Sequence, residues 1–227
     1  LSLRLNLKTR RPPQRRLLLG HDSAMKKLIF IHIPKNAGTS IAKTVGFWVK
    51  VPMAGHGSTN HFPDNHPRAL RIEKRNPDFI RFAVCRNPYD RALSLFRYFQ
   101  DKTRVNRGKN MGIRLFRSMM CLLSDDPNYF WQNINIKPLV DTNTIIHFRP
   151  QTWFINREDT RILRYENLQA DFADLIRDSG RPPMELKYLN RSNTPHEGPW
   201  SDFLNERTKR VIRRVYRKDF EHFEYDE

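Results

Sequence analysis

Between Phe30 and Ser40 the sequence FIHIPKNAGTS passes from apolar, β-prone residues to Pro34, Lys35, Asn36, Ala37, Gly38, Thr39 and Ser40. Those types in that order suit the capture of an anion. A glycine loop leading into a helix start offers backbone N–H groups and the positive end of the dipole, the hydroxyls of Thr39 and Ser40 add donors, and Lys35 adds a full charge. The ligand so described carries phosphate or sulfate. A strand ending in an ordinary flexible turn would have no use for the lysine. FAVCRNPYDRALS, Phe82 to Ser94, repeats the arrangement: Arg86 stands at a strand end and Ser94 about two turns into the next helix, where both could face one phosphate. The plain alternative for Arg86 is an ion pair with Asp90, and Arg91 reads equally well as a helix-surface ion pair or as a ligand contact.

The order of residues narrows the anion chemistry. A Walker A loop places its lysine after the second glycine and its hydroxyl on magnesium, whereas Lys35 precedes Gly38 by three positions. The second strand ends in Arg86 rather than in an aspartate. A site that holds its anion with Lys, Arg and hydroxyls needs no divalent metal. Between the two segments, MAGHGSTNHFPDNH supplies His56, His61 and His66. An imidazole with a pKa near ~6.5 is a workable base at neutral pH. His56 lies between glycines, while His61 and His66 flank Pro63 and adjoin Pro67 in a stretch that reads as a surface loop. No cysteine or acidic pattern accompanies the three histidines, so a metal site is not expected. His32 falls within the strand and reads as a core histidine; His147 and His196 take no role.

These residues must be positioned by strands that alternate with helices. KLIFIHI, Lys27 to Ile33, is apolar nearly throughout, as in a strand covered on both faces. Ile41, Ala42, Val45 and Phe47 or Trp48 then recur at helical spacing. FIRFAVC, Phe79 to Cys85, leads into a helix carrying Leu93, Phe96 and Phe99 with Pro88 at its start. A third strand around Arg161 to Arg164 precedes a helix that Gly180 should end. IRLFRSMMCLL and NERTKRVIRRVYRKDF add two helices, and SDDPN and GRPPM read as loops. The expected fold is a single α/β domain with a central parallel sheet flanked by helices, a P-loop-like nucleotide-binding fold, with ligands at the carboxyl ends of the strands.

Composition agrees with a domain of this kind. The chain has 227 residues, 38% of them hydrophobic, enough for a real core and against overall disorder. A formal charge of +17 implies an anionic partner: nucleotide, anionic glycan, nucleic acid or membrane surface. Cys85 and Cys121, both in apolar surroundings, read as buried thiols rather than a disulfide or zinc site. Residues 1–24 carry six Lys/Arg against one acid and read as a basic, poorly ordered extension to a domain of residues 25–227. They contain no apolar run near the ~20 residues a membrane span requires.

HIPKNAGTSI followed by FAVCRNPYDRALSLFRYF resembles the two signature segments of sulfotransferases that use 3′-phosphoadenosine 5′-phosphosulfate (PAPS), in the carbohydrate branch that includes the heparan sulfate 2-O- and chondroitin sulfotransferases. FRPQTWFI, ILRYENLQADF and LNRSNTP are similar to later pieces of that family, so the likeness runs from Lys27 to the C-terminus. The common form of the first segment has Thr where Asn36 stands, and Asn can also hydrogen-bond phosphate. The resemblance implies that Lys35 contacts the bridging oxygen of the phosphosulfate and that the loop, Asn36 to Ser40, holds the 5′-phosphate. Arg86 and Ser94 would hold the 3′-phosphate, Arg191 would close over the nucleotide, and Gly55-His56 would match the catalytic Gly-His pair. Adenosine 3′,5′-bisphosphate (PAP) would be the product, a hydroxyl on a glycan the acceptor, and no metal would be required. Members of the family include Golgi membrane proteins, which makes membrane association the expectation for a trimmed fragment and the cytoplasm that for a complete chain. The competing readings are a P-loop-like kinase and a basic nucleic-acid-binding protein. Against the latter, Phe96, Tyr98 and Phe99 recur at helical spacing, the mark of core rather than of a stacking platform.

Overall fold

The computed structural model describes residues 25–45, 63–74, 78–101, 114–116, 118–120, 124–141, 145–187 and 198–226. The three expected strand segments form β1 (Lys27–Ile31), β2 (Phe79–Cys85) and β3 (Arg161–Arg164). They pair in parallel in the order β1-β2-β3, with Phe30 opposite Phe82 and Cys85 opposite Arg164. Parallel pairing requires a crossover after each strand, and the helices that supply it cover both faces. Leu28, Phe30, Phe82, Val84 and Leu163 pack on α1 (Gly38–Val45) and on α6 (Leu168–Asp178). On the other face Ile29, Ile31, Ala83 and Cys85 meet Phe154, Ile155 and Phe223. Each large side chain so buried contributes about 1.5–3 kcal/mol relative to exposure.

A second, aromatic core lies beside the sheet. Phe96 and Phe99 of α3 (Pro88–Gln100) join Phe130 and Trp131 of α4 (Pro127–Asn133), Phe148, and Tyr216 and Phe220 of α7 (Glu206–Phe223), with Leu139 of α5 (Ile136–Asp141) packed against them. Their burial bears out the reading of the α3 aromatics as core, with Tyr98 half-buried at the edge. Residues 114–116 and 118–120 are helical, Gly180 follows α6 with φ 71°, and residues 181–187 are irregular, as expected. Cys85 is a buried thiol, its pKa pushed up to about 11 by burial. Cys121 lies outside the described residues. Among those residues no helix is long and apolar enough to cross a membrane.

Three expectations need correction. SDDPN is not simply a loop: Asp126 caps α4 by accepting a hydrogen bond from the Asn128 N–H at 2.8 Å, and Pro127 opens the helix. An Asp-Pro pair is a helix start as readily as a turn. The stretch around Pro63 and Pro67 is not a plain surface loop either. Pro67 begins α2 (Pro67–Lys74), and Asp64 is fully buried, accepting bonds from the Asn156 and Arg157 N–H groups and from the Thr160 hydroxyl. Finally, β1 stops at Ile31, so His32 lies just past the strand, half-buried, with its ring stacked on Phe30 at 5.5 Å.

Candidate active site

The carboxyl ends of β1 and β2 place side by side the two segments whose residues suit an anion. After Ile33 the chain turns through Pro34 to Ala37 and enters α1 at Gly38. Lys35 and Ala37 adopt left-handed backbone angles, φ 72° and 56°. For non-glycine residues such angles cost of order 1–3 kcal/mol each and persist only where surroundings enforce them. Alternating handedness turns successive N–H groups into one concavity, which suits an anion at a helix start. Gly38 serves a different need: a Cβ there would lie 1.8 Å from His32 Nε2, so only glycine lets the imidazole pack under the loop. Thr39 is exposed on the first turn of α1 and Ser40 is buried beside it.

The enforcement comes from side chains far away in sequence. Asn36 is fully buried, and its amide donates to the Val84 carbonyl at 2.7 Å and to Gln151 Oε1 at 2.6 Å. Both amide hydrogens are therefore committed inside the protein. This corrects the expectation that the Asn36 side chain reaches phosphate; its backbone N–H is what it can offer. Gln151, also fully buried, accepts in addition from the Arg86 N–H at 2.9 Å and donates to the Arg86 carbonyl at 2.8 Å. Gln151 is itself held by Asp219 of α7, whose carboxylate accepts from the Gln151 and Thr152 N–H groups at 2.8 and 2.9 Å. Burial pushes the Asp219 carboxyl above its usual range, while nearby Arg91 and these donors pull it down.

Arg91 proves to be neither a surface ion pair nor an exposed ligand contact. It is buried and donates to the carbonyls of Pro34, His147 and Arg149 at 3.2, 3.0 and 2.9 Å, tying the loop to residues 147–149. Burial lowers its pKa, opposed by Tyr216 and Asp219. Leaving any of these carbonyls unpaired in the interior would cost about 1–3 kcal/mol.

Arg86 takes three partners at once. Nε donates to Asp90 at 2.7 Å, Nη1 donates to the Lys35 carbonyl at 3.1 Å, and the guanidinium lies 4.0 Å from the Tyr165 ring centroid. The ion pair with Asp90 thus exists, together with the contact to the loop. Asp90, Ser94 and Tyr98 follow at intervals of four and share one face of α3. Its two ends touch the loop region, Asp90 through Arg86 and Tyr98 through Lys35, whose Nζ lies 4.2 Å from the Tyr98 ring centroid. Ser94 sits between them. His147 stacks on Tyr98 at 5.1 Å and is buried, which puts an imidazole in this neighbourhood that the apolar run around it did not announce.

Lys35, Asn36, Ala37, Gly38, Thr39, Ser40, Arg86 and Ser94 are accordingly brought to one end of the sheet. His56, His61, Arg191 and His196 lie outside the described residues, and His66 stands in the turn before α2. Gln151 and Asp219 are the residues that sequence reasoning missed, and Arg91, read there as an ion pair or a ligand contact, instead ties three carbonyls together. A faint signal existed for Gln151, a polar side chain set among the aromatics of FRPQTWFI.

Neither curated proteins nor solved structures yield a match to this chain. The model of the sulfotransferase family matches residues 23–226, nearly the whole length and both strand-tip segments. An α/β sheet with a cationic, hydroxyl-bearing anion loop and an arginine at the adjacent tip fits that match, and the chain belongs to the sulfotransferase family.

Proposed function

We propose that this sulfotransferase takes its sulfuryl group from PAPS and delivers it to a hydroxyl of a carbohydrate. The observation that carries the donor assignment is the direct link between the two tips: the guanidinium of Arg86 donates to the carbonyl of Lys35 at 3.1 Å. A ligand with two anionic groups would span the pair. In this reading the backbone from Lys35 to Gly38, with Thr39 and Ser40, receives the 5′-phosphosulfate, Arg86 and Ser94 receive the 3′-phosphate, and Arg191 closes over the nucleotide. Residues 1–24 are read as a basic extension to a catalytic domain of residues 25–227.

Chemistry assigns the roles. The bond from sulfur to the bridging oxygen breaks as the acceptor oxygen bonds sulfur, and the departing bisphosphate gains negative charge. The Lys35 ammonium offsets that charge where it develops, so it acts mainly on the transition state. The acceptor proton passes to His56, the histidine in the glycine-flanked segment. The cations that compensate charge are the protein's own, and no step calls for a metal ion. With a formal charge of +17, the surface favours a glycan that is already anionic.

Calorimetric titration with PAP in the presence of a chelator tests the donor reading. One-to-one binding at low-micromolar concentration or tighter is expected. Binding only with added magnesium would favour a kinase, and stronger, steeply salt-dependent binding of duplex DNA would favour a nucleic-acid binder. For the base, His56→Ala should lower kcat by ~10²–10⁴-fold with PAP binding intact. Full activity would move the role to another group.

A further inference from the structure

We infer that Gln151 is a positioning residue that sets the two halves of the donor site against each other. Recognition of a nucleotide carrying both a 5′- and a 3′-anion then depends on it, although it contacts neither anion. This rests on the donor reading above. Its side chain makes three hydrogen bonds, and they divide between the two anion-binding segments. Oε1 accepts from Asn36 Nδ2 of the strained loop and from the Arg86 N–H at the tip of β2; Nε2 donates to the Arg86 carbonyl. A side chain serving one segment alone would have no reason to bond the other.

The geometry also explains why a glutamine is needed. One planar amide accepts and donates at once, so it can pair with both backbone groups of Arg86 as a neighbouring strand would, and its oxygen still has a lone pair for Asn36. Glutamate could accept but not donate, and an aliphatic side chain could do neither. The backbone of Gln151 is fixed by Asp219 at 2.8 Å, which leaves little freedom for the amide to follow a loop that drifts. Full burial excludes water from replacing these bonds, so losing the amide leaves Asn36 Nδ2 and both Arg86 backbone groups short of partners.

The test is to titrate adenosine 3′,5′-bisphosphate, adenosine 5′-phosphate and adenosine 3′-phosphate into the wild-type protein, Gln151→Ala and Gln151→Glu, with melting curves on each. In wild type the bisphosphate should bind well above either monophosphate. In folded Gln151→Ala that advantage should shrink by roughly tenfold or more, and KM for PAPS should rise with a smaller change in kcat. Gln151→Glu keeps the volume and both acceptor roles; when ionised it loses the donor and adds a buried negative charge, so its selectivity should fall at least as far as that of Gln151→Ala. It also serves if the alanine variant does not fold. A purely structural residue would lower the melting temperature and leave the selectivity of the folded fraction unchanged. Bisphosphate selectivity within twofold of wild type in the glutamate variant, or in a folded alanine variant, overturns the inference. Failure of wild type to bind the bisphosphate at all would remove the donor reading and this inference with it, an outcome distinguishable from unchanged variants.

Discussion

The two strand-turn-helix units of the site perform adjacent tasks but are built on opposite plans. At the tip of β2 the start of the helix is determined locally, although distant Gln151 and Lys35 also bond Arg86. Asn87 caps α3 by accepting from the Tyr89 N–H at 2.9 Å, Pro88 opens the helix, and Arg86 pairs with Asp90 four residues on. At the tip of β1 the local sequence runs against the geometry. Lys35 and Ala37 sit at left-handed angles that their side chains disfavour, and the bonds that hold them there come from Val84, Arg86, Arg91 and Gln151. Strain is thus concentrated in the loop that carries the lysine, and the rest of the fold opposes its relaxation. Under the proposed function the β1 loop works mainly on the transition state and the β2 tip mainly on ground-state binding.

The sharpest test of that division is Lys35→Ala, which should lower kcat by about 10²–10³-fold while PAP affinity, measured by calorimetry, changes far less. Equal losses in rate and binding would erase the distinction between the tips. Arg86→Ala should show the reverse pattern, raising the KM for PAPS by roughly ten- to a hundredfold through loss of a charge-assisted phosphate contact, with kcat less affected. Ser94→Ala should follow in the same direction with a smaller effect. Adenosine 5′-phosphosulfate, which lacks the 3′-phosphate, should be a poor donor for wild type and nearly indifferent to Arg86. If it served wild type as well as PAPS, the β2 tip would have no phosphate to hold.

Smaller changes probe how each tip is built. Gly38→Ala forces a methyl group into the His32 ring and should destabilise by about 1–3 kcal/mol, as overpacking does, with a parallel loss of PAP affinity. His32→Ala in the same chain should restore part of both, because the clash is with the imidazole; no restoration would mean that glycine serves the backbone instead. Asn87→Ala removes a helix cap and should cost about 1 kcal/mol in thermal or denaturant unfolding, leaving PAP affinity unchanged. Were it to weaken PAP binding as much as Gly38→Ala, the β2 tip would be as dependent on its exact backbone as the β1 loop.

The same contrast decides what a reader of the sequence can see. β1 and β2 announce themselves by apolar runs, β3 by its place before the helix that Gly180 ends, α1, α3 and α7 by periodicity, and the rule that ligands sit at carboxyl ends of parallel strands then points to Lys35 and Arg86. The arginine tip is legible because one partner, Asp90, lies four residues on, although Lys35, Gln151 and Tyr165 also hold it. The lysine loop is legible only in its chemistry. Asn36 carries the same amide whether it faces phosphate or faces Gln151 115 residues away, and nothing local distinguishes the two. Arg91 looks like any charged residue on a surface helix until three carbonyls are brought around it by the fold. Asp64 reads as a turn residue for the same reason: the N–H groups it accepts from lie 92 and 93 residues on.

The bonds from Asp219 to Gln151 and from Gln151 to Asn36 also impose an order on biosynthesis. Asn36 precedes Gln151 by 115 residues, and Gln151 precedes Asp219 by another 68. At the roughly 5–20 residues per second of translation, the anion loop is out of the ribosome for on the order of ten seconds or more before the carboxylate that anchors its clamp exists. During that interval the strained angles at Lys35 and Ala37 have no complete support, so the nascent chain carries the lysine and the hydroxyls without the shape that makes them a site. Competence for the donor would therefore arrive late and all at once, with the docking of α7. A ribosome stalled before Asp219 should display a polypeptide that has every residue of the signature loop and no measurable affinity for the nucleotide.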